Sequence, residues 1–165
     1  MRGGAGLHAS AQRVADALEA QGVLGPVNQF DVSTKTAADA AVALGCELGA
    51  IASCLVFVHD DDPVVIIKSG AFRVDVAQFL GIVGGVTLRR ASVEEVRAAT
   101  GQAIGGVSPV GWPGPLRVFI DTHLTQFEQL WAACGTPNAV FATSYDELIR
   151  LTGARPIALG PQKDT

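Results

Sequence analysis

Two apolar runs dominate the middle of the chain, GAIASCLVFV over 49–58 and PVVIIKSG over 63–70, joined by the polar cluster His59-Asp60-Asp61-Asp62. Runs this long, with β-branched residues and no helical spacing, read as strands, and a short polar joint makes them an antiparallel hairpin. Neither run alternates apolar with polar residues, so the hairpin is buried on both faces and forms the centre of a sheet covered on each side. Any fold for this chain must supply those two covering layers.

Helices are available on either side of the hairpin. SAQRVADALEAQG repeats apolar residues at helical spacing over 10–21. TAADAAVALG opens on Thr36 with Asp39 three residues on and closes at Gly45. RVDVAQFLG is a short helix that Asp75 can cap, SVEEVRAATG has Ser92 and Glu95 in capping-box spacing, and SYDELIRLTG starts from Ser144. Further strands are expected at 27–32, 86–91, 116–121, 130–135 and 139–144, the last two framing the turn TPN. The interspersed hairpins predict an α+β fold with a mixed, largely antiparallel central sheet flanked by helices. Residues 1–165 are expected to form a single domain, with a flexible tail over 1–9.

Composition excludes several functions. The net charge is −4 with 17% charged residues, so there is no general basic excess for nucleic acid, although a local patch is compatible with it. Cys46, Cys54 and Cys134 lack disulfide or zinc spacing and read as reduced thiols, and the three histidines are scattered, so no metal is assigned. No apolar run is long enough for a membrane helix and no secretory leader is apparent, so a cytoplasmic location is expected.

The segment TGQAIGGVSPVGWPGP, Thr100–Pro115, carries five glycines and three prolines in sixteen residues. Such a stretch is a stiff loop, and it either joins elements or presents the N–H groups of Gly106, Val107 and Ser108 to an anion or a developing oxyanion. It matches neither phosphate-loop nor dinucleotide fingerprints. Pro109 directly after Ser108 argues against a nucleophile elbow. Asp60, Asp61 and Asp62 read as a solvated turn. Lys68 ends an apolar strand and either snorkels to the surface or charges a cleft, while Arg73 faces solvent or a ligand.

Together TAADAAVALG, IASCLVF, SGAFRVD, VRAATGQAIGGVSPVG, FID and LWAACGTPNAVF resemble the YbaK/ProX-type aminoacyl-tRNA deacylase domain, over roughly residues 30–153. The resemblance implies hydrolysis of the ester of a mischarged tRNA, typically tRNA for proline carrying cysteine or alanine, with no metal or organic cofactor. It implies the aminoacyl-tRNA 3′ end as partner, with an aminoacyl-tRNA synthetase as a further one, and neither DNA nor a membrane. In the family the Gly-x-x-x-Pro loop, here Gly105 to Pro109, holds the substrate carbonyl. Ser53 stands where the family usually carries a lysine, and Lys68 or Arg73 is the substitute cation this sequence offers. Asp121 is expected to shape the pocket and Thr36 to line it. Gly135 stands where relatives acting on alanyl esters carry a histidine, which points toward the cysteinyl branch. Two other classes stay open: a noncatalytic domain that binds an aminoacyl-tRNA end, a nucleotide or a synthetase, and a small-molecule hydrolase or transferase of the same fold. The first helix either covers the sheet or helps place tRNA through Arg13.

Overall fold

The computed structural model describes residues 9–23, 27–30 and 36–159. The expected tail lies, apart from Ala9, outside the described residues, as do residues 31 and 32 of the first expected strand. The predicted hairpin is β2 (Ala52–His59) and β3 (Asp62–Ser69), paired antiparallel with Ser53 opposite Lys68 and His59 opposite Asp62. One face of it, with Ala52, Cys54, Val56, Val65 and Ile67, packs under α4 (Val93–Thr100) and α5 (Tyr145–Thr152) through Val96 and Leu148. The other face, with Phe57, Val64 and Ile66, packs against Phe79 of α3 (Val76–Val83). The missing alternation in the sequence thus reports a strand pair that is covered twice.

Side-chain caps place the helices as predicted. Asp39 N–H donates to Thr36 Oγ1 at the start of α2 (Ala37–Leu44), and Gln78 N–H to Asp75 Oδ1 at α3. Ser92 and Glu95 form the full capping box of α4, and Glu147 N–H donates to Ser144 Oγ at α5. Arg89 adds a bidentate pair to Glu95 at 2.8 and 2.9 Å and, with the Ser92 N–H, holds that carboxyl at a pKa of about 2. The first helix, α1 (Ala9–Ala20), buries Ala11, Val14, Ala15 and Leu18.

Long-range pairing is where the structure goes beyond the sequence. The described residues form two sheets. The larger has the order β4-β2-β3-β5-β8, with β4 at Leu88–Arg90, β5 at Arg117–Asp121 and β8, which the sequence did not announce, at Arg155–Ile157. β5 runs parallel to both β3 and β8, so the sheet is mixed. The smaller sheet pairs β1 (Val27–Gln29), β7 (Ala139–Thr143) and β6 (Leu130–Ala133), and α1 packs on it through Phe141 and Ala132. The sheets meet at one parallel bridge, Ile51 to Trp131, and then splay apart.

The turn at 60–61 is more than solvated. Asp61 and Asp62 are exposed, but Asp60, at φ 55°, accepts from the Val86 and Thr87 N–H groups at 2.8 and 3.0 Å. His59 is buried beside it, its Nε2–H donating to Gly84 C=O at 2.7 Å while Nδ1 accepts from Arg117 at 2.8 Å. Cys54 and Cys134 are buried and Cys46 is half-buried, and no disulfide joins the three. Among the described residues no helix is long and apolar enough to cross a membrane.

Candidate functional site

A cavity of about 640 Å³ opens where the two sheets diverge. β4 pairs with β2 only over Phe57–His59, and the bridge to β6 sits at Ile51, so the stretch between forms one wall. Ala52, Ser53, Cys54 and Leu55 line that wall, Ala132, Ala133 and Trp131 face it, and Thr36, Gly105, Val107 and Pro137 line it as well. Lys68, Arg73 and Arg90 also line the cavity, and among the described residues no carboxylate does. A chain of net charge −4 therefore concentrates positive charge where a ligand would enter.

Ser53 and Lys68 are directly paired across β2 and β3 and so share a face of the sheet, at roughly 5.5 Å between Cα atoms. Lys68 Nζ donates to Phe72 C=O at 2.5 Å and Ser69 C=O at 3.1 Å, which leaves one of its three protons free for a ligand. Burial, then the positive charge of Arg90, lowers its pKa; Asp121 opposes this and Arg73 adds to it. Arg90 lies over the Phe57 ring, 5.6 Å from its centroid.

The Gly/Pro loop is stiff, and side chains rather than proline alone make it so. Buried Gln102 accepts from Ser108 N–H through Oε1 at 2.7 Å and donates to Val110 C=O through Nε2 at 2.9 Å. Ser108 Oγ donates to the same carbonyl at 2.6 Å, and Trp112 Nε1–H donates to Ser108 C=O at 3.0 Å. This corrects the expected set of three backbone donors. Gly106 N–H is spent on Ala103 C=O at 3.0 Å, Ser108 N–H on Gln102, and Ser108 is fully buried outside the cavity lining. Val107 N–H has no hydrogen-bond partner among the described residues, and Val107 lines the cavity beside Gly105, whose φ is 87°. Gly106 is needed for contact: a Cβ there would sit 2.4 to 2.8 Å from backbone atoms of Thr136 and Pro137. Pro109 is buried behind the loop.

Two other expected residues stand away from the cavity lining. Gly135, at φ 87°, faces α1, where a Cβ would lie 2.7 Å from Ser10 C=O and 2.8 Å from Val14 Cγ2. A side chain at that position points at the helix, so its absence carries no information about the cavity. Asp121 is 1% exposed, and its Oδ1 accepts from His123 and Leu159 N–H at 3.0 and 3.2 Å. It braces the end of β5, and its negative charge opposes the lowering of the Lys68 pKa. Conversely, Arg90, Trp131, Pro137, Cys54 and Gln102 were not singled out as site residues. Gln102 carried a signal, as an amide opening a glycine-rich loop. The Cys54 thiol is inert, because full burial pushes its pKa up to about 12. Among the described residues no group of three or more His, Cys, Asp or Glu side chains is arranged to hold a metal ion.

The sequence profile of the aminoacyl-tRNA editing domain matches residues 31–151. The chain belongs to the aminoacyl-tRNA editing domain family. A solved structure described as a candidate trans-editing enzyme for prolyl-tRNA synthetase is 43% identical, with a TM-score of 0.88 over 95% of this chain and 100% of that one. The YwhH protein of Bacillus subtilis is 32% identical over 123 residues, 74% of this chain and 78% of YwhH. The proline–tRNA ligase of Shouchella clausii is 32% identical over 130 residues, 79% of this chain but only 20% of the ligase. The chain thus spans about a fifth of the length of that ligase.

Proposed function

We propose that this editing domain is a trans-acting deacylase that hydrolyses the ester of a small amino acid, cysteine foremost, from the 3′ end of a mischarged tRNA for proline. The observation that carries the reading is the Ser53–Lys68 pair: the cation missing from β2 is supplied from the strand beside it, within the same cavity. In this reading Lys68, with Arg73 and Arg90, binds the phosphate next to the terminal adenosine, and Thr36 lines the entrance. Val107 N–H donates to the ester carbonyl and, more strongly, to the oxyanion formed when water adds to the carbonyl carbon. Collapse of that intermediate breaks the bond from carbon to the ribose oxygen and releases the amino acid and the tRNA. Among the described residues no carboxylate or imidazole lines the cavity, and the proton of the attacking water goes to the substrate's own groups or to a bound water. Gly105, Gly106 and Pro109 fix the loop that aims Val107, and Ser53 leaves the space a lysine would fill.

The test is single-turnover deacylation of cysteinyl- and alanyl-tRNA for proline by the wild type, Lys68→Ala and Ser53→Lys. Hydrolysis by the wild type is expected, with a loss of about 10- to 100-fold in Lys68→Ala, since a charge-assisted hydrogen bond contributes roughly 1.5–3 kcal/mol. An unchanged Lys68→Ala rate sinks the substitution idea. A second reading, a binding domain without turnover, is favoured by the uncharged Ser53. Salt-sensitive tRNA binding by a wild type that hydrolyses nothing, with activity gained in Ser53→Lys, would select it.

A further inference from the structure

Between the Ile51–Trp131 bridge and Val56, the wall of the cavity formed by β2 is a sheet edge to which no strand among the described residues is paired. Gly70 N–H donates to Ile51 C=O on the β3 side at 2.8 Å, and Ala91 N–H donates to Val56 C=O on the opposite side at 3.1 Å. Backbone groups alternate in direction along a strand, so residues in step with Val56, namely Cys54 and Ala52, turn their backbone groups away from β3. On that outer side no strand among the described residues pairs with β2 between Ile51 and Val56. Ala52 C=O and Cys54 N–H therefore stand side by side as an acceptor and a donor, and both residues line the cavity. Buried backbone groups of this kind require partners.

We infer that this edge reads the base of the nucleotide held by the cationic rim, and that the base is adenine presented by its N1 and N6 edge. The N6 amino group donates to Ala52 C=O, and N1 accepts from Cys54 N–H. Hypoxanthine or guanine reverses both roles and sets donor against donor and acceptor against acceptor. Lys68 on β3 and Arg90 on β4 line the same cavity, which places positive charge for the phosphate of the same nucleotide. Trp131, half-buried against Ala40, Ala41 and Ile51, stands at the other end of the edge with an aromatic surface for a base. The inference rests on the proposed deacylase reading and adds to it how the terminal adenosine is recognised.

Because the reading groups are backbone, the substrate is altered instead of the protein. The probe is a CCA trinucleotide with alanine joined to its 3′ end through a non-hydrolysable amide, its terminal base being adenine, 7-deazaadenine, unsubstituted purine or hypoxanthine. Binding to the wild type is measured by calorimetry at one fixed salt concentration. Equal affinity within twofold is expected for adenine and 7-deazaadenine, about tenfold weaker binding for purine, which lacks the amino group, and weaker binding still for hypoxanthine. Equal affinity for all four overturns the base assignment while leaving the deacylase reading intact. Loss confined to 7-deazaadenine overturns the assignment of the edge, and failure of the adenine probe to bind overturns both.

Discussion

Two glycine-bearing turns of this molecule are held in contrasting ways. The turn at 84–87 is clasped by His59 and by the Asp60 carboxylate, an acid whose pKa the Thr87 and Val86 N–H groups lower. The loop at 105–110 is clasped by Gln102 and Ser108, an amide and a hydroxyl that do not titrate in the range where proteins are folded. Each uses buried or backbone-directed side-chain bonds to fix an irregular segment, but only the loop facing the cavity is insulated from pH. A carbonyl-binding loop braced by neutral groups keeps its shape and brings no competing charge toward a developing oxyanion.

The comparison breaks most severely at Gly106. Alanine there drives Cβ into the backbone of Thr136 and Pro137, which cannot swing aside, so Gly106→Ala should lose more than about 100-fold in single-turnover deacylation and about 2–3 kcal/mol in urea unfolding. Wild-type behaviour would mean that the two loops are not rigidly seated on each other. Gln102→Ala comes next. It strands Ser108 N–H and one acceptor site of Val110 in a buried setting, an expected cost of about 2 kcal/mol, with reduced deacylation and an unchanged pH profile.

Lys68 sharpens the contrast from the ligand side. Its folded pKa is lowered, so in the interval between that value and the ordinary 10.5 the unfolded chain binds the extra proton and stability rises with pH. Over the same interval the protein loses the charge that holds an anion. Titrating toward alkali should therefore raise melting temperature slightly and weaken CCA-end binding, and Lys68→Arg should abolish both trends. The smallest effect belongs to Asp60. The Thr87 and Val86 N–H groups lower its pKa, so its contribution is present above the ordinary carboxylate value and fades as pH falls through the lowered one. Asp60→Asn should flatten that acid dependence of melting temperature and leave deacylation unchanged.

Most of the local structure was legible in the sequence because its causes are local. Thr36, Asp75, Ser92 and Ser144 cap helices that begin one residue later, and the double-sided burial of the hairpin follows from its missing alternation. Gly105, Val107, Ser53, Lys68, Arg73 and Thr36 were expected near one another and do line one cavity. Arg90 and Trp131 were not expected there, because what brings them is the splay of two sheets, a matter of long-range pairing that no local spacing encodes. Ser108 and Gly135 stand outside the cavity lining for a related reason: a polar residue in a loop and a glycine after a strand say nothing by themselves of the groups packed on them, here Gln102 and helix α1.

The family profile begins at residue 31, yet the cooperative folding unit reaches further toward the N-terminus. Helix α1 covers Gly135, receives the Cys134 thiol at Ala11 C=O and seals Val110 and Phe141, the last of these in the sheet that forms the far wall of the cavity. A truncation drawn at the limits of sequence similarity would strip that wall of its backing and expose an oily surface. The rigidity of the cavity's far wall is thus set in part by a helix that lies outside the stretch the family profile matches.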